Sequence, residues 1–284
     1  MKPQRIAMSG AQGFVGSHLK AQLRESGHAV IPLTRSAPPG EPEWIRFSLE
    51  NGVDADRLRG FDSVVHCAYD FSVLDVREDT RRNVEGSERL FRQAHNARVP
   101  LLVFISTLSA FPRCRSQYGR GKLAVERLVS EIGGISVRLG FVHDGSDRGL
   151  SGRLKKLATN LAVIPLPGLG RQRLYPLSAL DLGLSLLTIM ERAKPGSVIP
   201  LAQAEPVTLA DLLRTFARQA GKRVHLVPTP WQPIWTLLRC LEGAGVRLSF
   251  RSDSLLSLVN QDPRPDFSST HDLGLTLRCF SGPP

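Results

Sequence analysis

Arg5-Ile6-Ala7-Met8-Ser9-Gly10-Ala11-Gln12-Gly13-Phe14-Val15-Gly16-Ser17-His18-Leu19 is the stretch on which the reading of the whole chain turns. A short apolar run enters three glycines spaced G-x-x-G-x-x-G, and Val15, Leu19 and Leu23 follow four residues apart. That pattern is a strand, a tight turn and a helix. Gly10 permits a turn at positive φ, Gly13 lets the backbone approach a ligand, and Gly16 lets the helix lie close against the strand. The free amides of the helix start and the positive end of its dipole make a seat for a pyrophosphate. Gly10, Gln12, Gly13, Phe14, Val15 and Gly16 are therefore the first candidate dinucleotide contacts. A glycine-rich turn without a ligand is the alternative; the strand before it and the helix after it favour nucleotide binding.

Working outward, the chain alternates strands and amphipathic helices as far as about residue 140. Strands are expected at 29–33, 44–47 (a weaker one), 63–68, 101–106 and 135–139, with helices at 77–97 and 119–132. Alternation of this kind predicts an α/β fold: a doubly wound, Rossmann-type parallel sheet covered on both faces. After residue 140 glycine and proline become dense, and helices are expected at 180–192, 209–220 and around 234–241. Residues 1–140, with 175–204 returning to them, are read as the dinucleotide-binding domain. Residues 141–174 and 205–284 are read as a smaller C-terminal substrate lobe over the carboxyl edge of the sheet. The proline-rich tail from Asp262 is expected to be loosely ordered.

Composition narrows the partners. The 284 residues carry a net charge of +11 and are arginine-rich. The arginines are spread out and not interleaved with aromatics, so solvated faces are favoured, a substrate pyrophosphate comes second, and no nucleic acid is expected. The densest apolar run, 182–190, is too short to span a membrane, and the N-terminus enters a strand at once, so a cytoplasmic location is expected. The four cysteines are scattered and the histidines lack ligand spacing, so no metal is expected. The aromatic stripe Trp231-Gln232-Pro233-Ile234-Trp235 is read as lobe core or pocket wall rather than as a membrane contact.

The second constellation is Ser116-Gln117-Tyr118-Gly119-Arg120-Gly121-Lys122. Tyr118 and Lys122 are four apart and share a helix face. An ammonium beside the phenol is expected to lower its pKa, which suits proton transfer to or from a substrate oxygen. The preceding strand end, Ile105-Ser106-Thr107-Leu108-Ser109, supplies hydroxyls that would orient that oxygen. At the end of the second strand NAD enzymes place a carboxylate. Here Thr34-Arg35-Ser36 stands instead, and Arg35 could pair with a 2′-phosphate while Thr34 and Ser36 add hydrogen bonds. NADP(H) is therefore expected ahead of NAD(H).

The glycine turn, His66-Cys67-Ala68, Asn83-Val84-Glu85-Gly86, Ser106-Thr107 and Tyr118-Gly119-Arg120-Gly121-Lys122 together resemble the extended short-chain dehydrogenases/reductases, the NAD(P)-dependent epimerase/dehydratase family. The resemblance runs from residue 4 to about 190. It implies that Tyr118 is the general acid/base, that Lys122 binds the nicotinamide ribose and tunes Tyr118, and that Ser106, Thr107 or Ser109 orients the substrate. Cys67 and Ala68 would join the cofactor contacts. Asn83 would hold a main-chain kink and a water relay; a helix or turn cap is the alternative. A homodimer through the helices at 77–97 and 119–132 is also implied. Leu108 occupies the family's usual hydroxyl position, so Thr107 or Ser109 substitutes or the role is vacant. The function expected is NAD(P)-dependent hydride transfer on a small-molecule substrate, a nucleotide-sugar or a related carbonyl or hydroxyl compound, by an oxidoreductase or epimerase. The alternative is a cofactor-binding structural or regulatory protein with little or no turnover.

Overall fold

A computed structural model describes residues 2–280 except 247 and 249. Strand β1 (Arg5–Ser9), helix α1 (Phe14–Glu25), β2 (Ala29–Thr34), a two-residue β3 (Ile45–Arg46) and β4 (Ser63–His66) come first. Helix α2 (Val76–Asp79) runs through a π-helical turn at Thr80–Glu85 into α3 (Gly86–Asn96), then β5 (Leu101–Thr107), α4 (Gln117–Glu131) and β6 (Ile135–Leu139). Beyond these lie β7 (Phe141–His143), α5 (Gly149–Asn160), β8 (Val163–Pro167), β9 (Arg173–Leu174), β10 (Pro176–Ser178), α6 (Leu182–Arg192) and β11 (Val198–Leu201). The chain ends with β12 (Val207–Thr208), α7 (Leu209–Gln219), β13 (His225–Thr229), α8 (Trp231–Gly243), α9 (Ser252–Val259) and α10 (Ser268–Asp272).

Seven strands form one sheet in the order β11-β6-β5-β4-β1-β2-β3, and every pair in it is parallel. This is the doubly wound topology, whose order reverses beside β1 and leaves a crevice at the strands' carboxyl ends. Buried β1, β4 and β5 carry near-continuous apolar runs because both sheet faces are covered. Leu19 and Leu23 of α1 and Leu182, Leu186 and Ile189 of α6 fill one face; Leu90 and Phe91 of α3 and Val125 and Val129 of α4 fill the other. Each such side chain contributes about 1.5–3 kcal/mol on burial, so the two faces rather than the turns hold the sheet together. A separate core joins Leu154 of α5, Ile164 of β8 and Leu212, Leu213 and Phe216 of α7.

The helix expected at 77–97 is present from Val76 to Asn96, with Thr80–Glu85 in the wider π turn. Two expectations fail on packing. Residues 262–280 are not a loose tail. Thr270 of α10 donates its hydroxyl to the carbonyl of Pro200 on edge strand β11, and Leu273, Leu275 and Leu277 pack on the sheet's apolar face. The segment covers an edge that would otherwise offer free strand groups. The stripe at 231–241 is not core. It lies on α8, where Glu242 is the buried residue and Leu237 is 60% exposed. No helix among the described residues is long and apolar enough to cross a membrane.

Candidate active site

The crevice is a cleft of about 1370 Å³ lined by the glycine turn, the ends of β2, β4, β5 and β6, the start of α4 and segments from α5 and α9. Gly10 has φ +68°, and a Cβ there would lie 2.6 Å from the Ala68 nitrogen. At Gly16 a Cβ would lie 2.1 Å from the Gly10 carbonyl oxygen. Neither position accepts a side chain while the turn keeps its shape. Gly13 N–H donates to Gly10 O across the turn, and α1 begins with neither a capping side chain nor an acidic residue in its first turn. The first amides and the dipole therefore face the cleft without competition, which fits a diphosphate. Gln12, Phe14 and Val15 line the same wall, with Cys67 and Ala68 opposite. Thr34 and Arg35 line it at the end of β2, with Arg35 exposed. Ser36 lies outside the lining, and its carbonyl accepts the Thr34 hydroxyl.

Tyr118 stands on the first turn of α4, opposite the end of β5. Burial pushes its phenol up to about 12, and a hydrogen bond with the Thr107 side chain pulls the other way. The expectation that Lys122 lowers this pKa is overturned. The Lys122 Nζ lies 6.0 Å from the Tyr118 ring centroid and donates to Ile105 O at 2.8 Å, so desolvation wins. At neutral pH the phenol is protonated. Of the three candidate hydroxyls, Thr107's meets Tyr118, and the Ser109 amide donates to it. Ser106 is 3% exposed and donates to Glu126, which is forked by Arg138, so its hydroxyl is engaged away from the phenol. The Ser109 residue lines the cleft.

Lys122 sits in an aromatic surround, 4.5 Å from the Phe104 centroid and 5.5 Å from that of Tyr69. Burial lowers its ammonium to about 8 from 10.5, with Cys67 and Glu126 pulling it back up. Between those values the unfolded chain holds a proton that the folded chain has lost, so this group's contribution to stability rises with pH. Cys67 opposes it increasingly as the pH approaches and passes 9, because burial raises its thiol from 9.0 to about 12. From pH 8 to pH 9 the native protein should gain about 1 kcal/mol relative to Lys122→Met. Urea midpoints of the two proteins at both pH values check this, and parallel midpoints would refute it.

Asn83 lies outside the cleft lining. It donates to Asp70 O and Asp79 Oδ1 and accepts from Asp70 N, so it clamps the loop after β4 to the π turn. From there the Ser87 hydroxyl donates to Asn83 O and the ring of His66 links Ser87 to Ser9 of β1. Burial, reinforced by the Lys122 charge, holds the His66 pKa at about 3, so the ring is a neutral strut. Several residues at the site were invisible to the sequence reading. Tyr69 packs edge-on to Tyr118 at 4.9 Å and donates its hydroxyl to Asp79 at 3.0 Å. Asp253 of α9 accepts from Gln117 N at 2.6 Å and Tyr118 N at 3.0 Å. Only the length of Tyr69-x9-Asp79 was available as a signal; Asp253 had none, being 135 residues from Tyr118. Among the described residues no group of three or more His, Cys, Asp or Glu side chains is placed to hold a metal ion.

Fold and cleft together define a protein of the doubly wound α/β class, with a cleft whose glycine turn fits a dinucleotide. Residues 6–136 match the model of the NAD dependent epimerase/dehydratase family. It is 29% identical over 266 residues to a dTDP-6-deoxy-L-talose 4-dehydrogenase (NAD(P)(+)) of Kitasatospora kifunensis, covering 80% of this chain and 83% of that one. A CDP-abequose synthase of Salmonella muenchen is 31% identical over 144 residues, 47% of this chain and 48% of its own. Among solved structures, MoeE5 in complex with UDP-glucuronic acid and NAD has a TM-score of 0.69 at 24% identity, covering 80% of this chain and 85% of its own. The structure of gox2253 has a TM-score of 0.74 at 20% identity over 97% and 94% of the two chains. At these identities the structural likeness establishes the fold.

Proposed function

We propose that the protein oxidises or reduces a carbon bearing a hydroxyl or carbonyl group on a nucleotide-sugar or related substrate, with Tyr118 moving the proton. The observation that carries this reading is the meeting of Thr107, Tyr118 and Lys122 in the cleft that also holds the glycine turn. The nicotinamide dinucleotide, when bound, supplies or accepts the hydride. Gly10, Gly13 and the first amides of α1 would hold its diphosphate, and Lys122 would reach its ribose. Tyr118, protonated at neutral pH, gives its proton to a carbonyl oxygen as that oxygen gains charge; in the reverse direction the phenolate takes the hydroxyl proton. Thr107 holds the same oxygen. Arg148, Arg173 and Arg251 line the cleft and would put positive charge beside a substrate diphosphate. The dTDP-sugar relative supports the substrate class. Thr107 beside Tyr118 would supply the hydroxyl that Leu108 lacks, which favours turnover over the alternative of a non-catalytic cofactor binder.

A panel of dTDP-, UDP- and CDP-sugars with each dinucleotide, followed by nicotinamide absorbance and by product epimer analysis, tests the reading. Absence of any turnover would overturn it. The cofactor preference rests on Arg35, which has no carboxylate beside it on β2 to select a free ribose hydroxyl pair. Arg35→Ala should weaken NADPH binding about tenfold and leave NADH within about twofold. Fluorescence titration reads both, and tighter NADH binding by the native protein would sink the NADP(H) assignment.

A further inference from the structure

The start of α4 is capped from the far end of the chain. The Ser116 hydroxyl accepts the Gly119 amide and its carbonyl accepts the Arg120 amide. The amides of Gln117 and Tyr118 both go to the carboxylate of Asp253, and the amide of Arg115 goes to the Asn260 side chain at 2.9 Å. Asp253 lies in the first turn of α9 and Asn260 caps its last, and α9 is itself anchored. Glu242, 6% exposed at the end of α8, accepts from both the amide and the hydroxyl of Ser252. Arg251 donates to Phe71 O, on the loop whose ring lies 5.5 Å from Tyr118. One short helix thus grips both sides of the phenol's surroundings.

We propose that Asp253 is a positioning residue for Tyr118. Its carboxylate fixes the first turn of α4 and so sets the phenol against Thr107 from the C-terminal segment. This rests on the reading of Tyr118 as the proton-transfer group, although the tether itself does not. The physical case is strong because a carboxylate at a helix N-terminus gains from two charge-assisted amide bonds and from the dipole together. A neutral or apolar residue there would leave two amides of the first turn without that partner. Angular error in the first turn is carried directly to the Tyr118 ring, and proton transfer is steeply sensitive to such misplacement.

Three tyrosines in the chain make a ring-carbon-labelled NMR spectrum assignable with single Tyr→Phe variants. In Asp253→Ala the Tyr118 ring signal should move while that of Tyr175 stays, and the amides of Gln117 and Tyr118 should exchange about tenfold faster. Turnover should fall about tenfold at unchanged KM for the dinucleotide. Asp253→Asn keeps one acceptor oxygen and should recover part of each effect; it also serves if the alanine variant fails to fold. An unmoved Tyr118 signal with unchanged amide exchange in either folded variant overturns the proposal. If the signals move but Tyr118→Phe keeps its turnover, the tether stands and the catalytic role of Tyr118 falls.

Discussion

Tyr118→Phe should lose about 10³-fold in turnover, within the range of about 10²–10⁴ expected for removing a positioned proton donor. That is about 4 kcal/mol of barrier. The ring is retained, so its edge-on contact with Tyr69 and its contact with Phe71 survive and the fold should be unchanged. Dinucleotide affinity should stay within about twofold, since the glycine turn and α1 are untouched. The burial that lifts the phenol to about 12 gives the reaction a direction-dependent pH profile. Carbonyl reduction needs the protonated phenol and should be flat through neutral pH. Alcohol oxidation needs the phenolate, whose fraction rises about tenfold per pH unit below 12. Steady-state rates in both directions, measured for native and variant protein, decide the matter. A variant within tenfold of native turnover would remove Tyr118 from the chemistry.

The glycine turn and the strands around it were legible because each is written locally. Gly10 needs its positive φ whatever lies elsewhere, and β1, β4 and β5 read as buried because every position faces a layer of helix. Tyr118 and Lys122 were legible by helical spacing. The electrostatics between them were not, because spacing carries no information on how dry the site is. Burial raises the phenol and lowers the amine, which is the reverse of what a pair in water suggests for the phenol. The tail failed for a similar reason. Proline-rich composition argues for looseness, but Leu273, Leu275 and Leu277 find the sheet's apolar face, and that partner lies far away in sequence. Asn83 was readable as a cap or a kink holder, and it closes a loop inside the π turn. Asp253 and Glu126 were unreadable because their partners sit on other elements.

Glu126 shows how much such a hidden partnership carries. It lies on α4, one turn beyond Lys122, and is 3% exposed. Arg138 of β6 meets it as a fork, with Nε to Oε1 at 2.9 Å and Nη2 to Oε2 at 2.6 Å, and Ser106 donates to Oε1. Removing the arginine leaves a carboxylate in the interior with one hydroxyl for company. Arg138→Ala should therefore destabilise the fold by about 3–5 kcal/mol, the cost of breaking a buried pair from one side. Removing both charges should cost much less, because nothing charged is then stranded. Arg138→Leu with Glu126→Leu is expected to recover most of the loss. Urea unfolding of the two single variants and the double variant gives the coupling directly. Additive effects, or an Arg138→Ala variant within about 1 kcal/mol of native, would show that water reaches the pair. The consequence extends to the cleft. Glu126 anchors α4 to β5 and β6 through Ser106 and Arg138, next to Thr107, so its loss should also loosen the geometry in which Thr107 meets Tyr118.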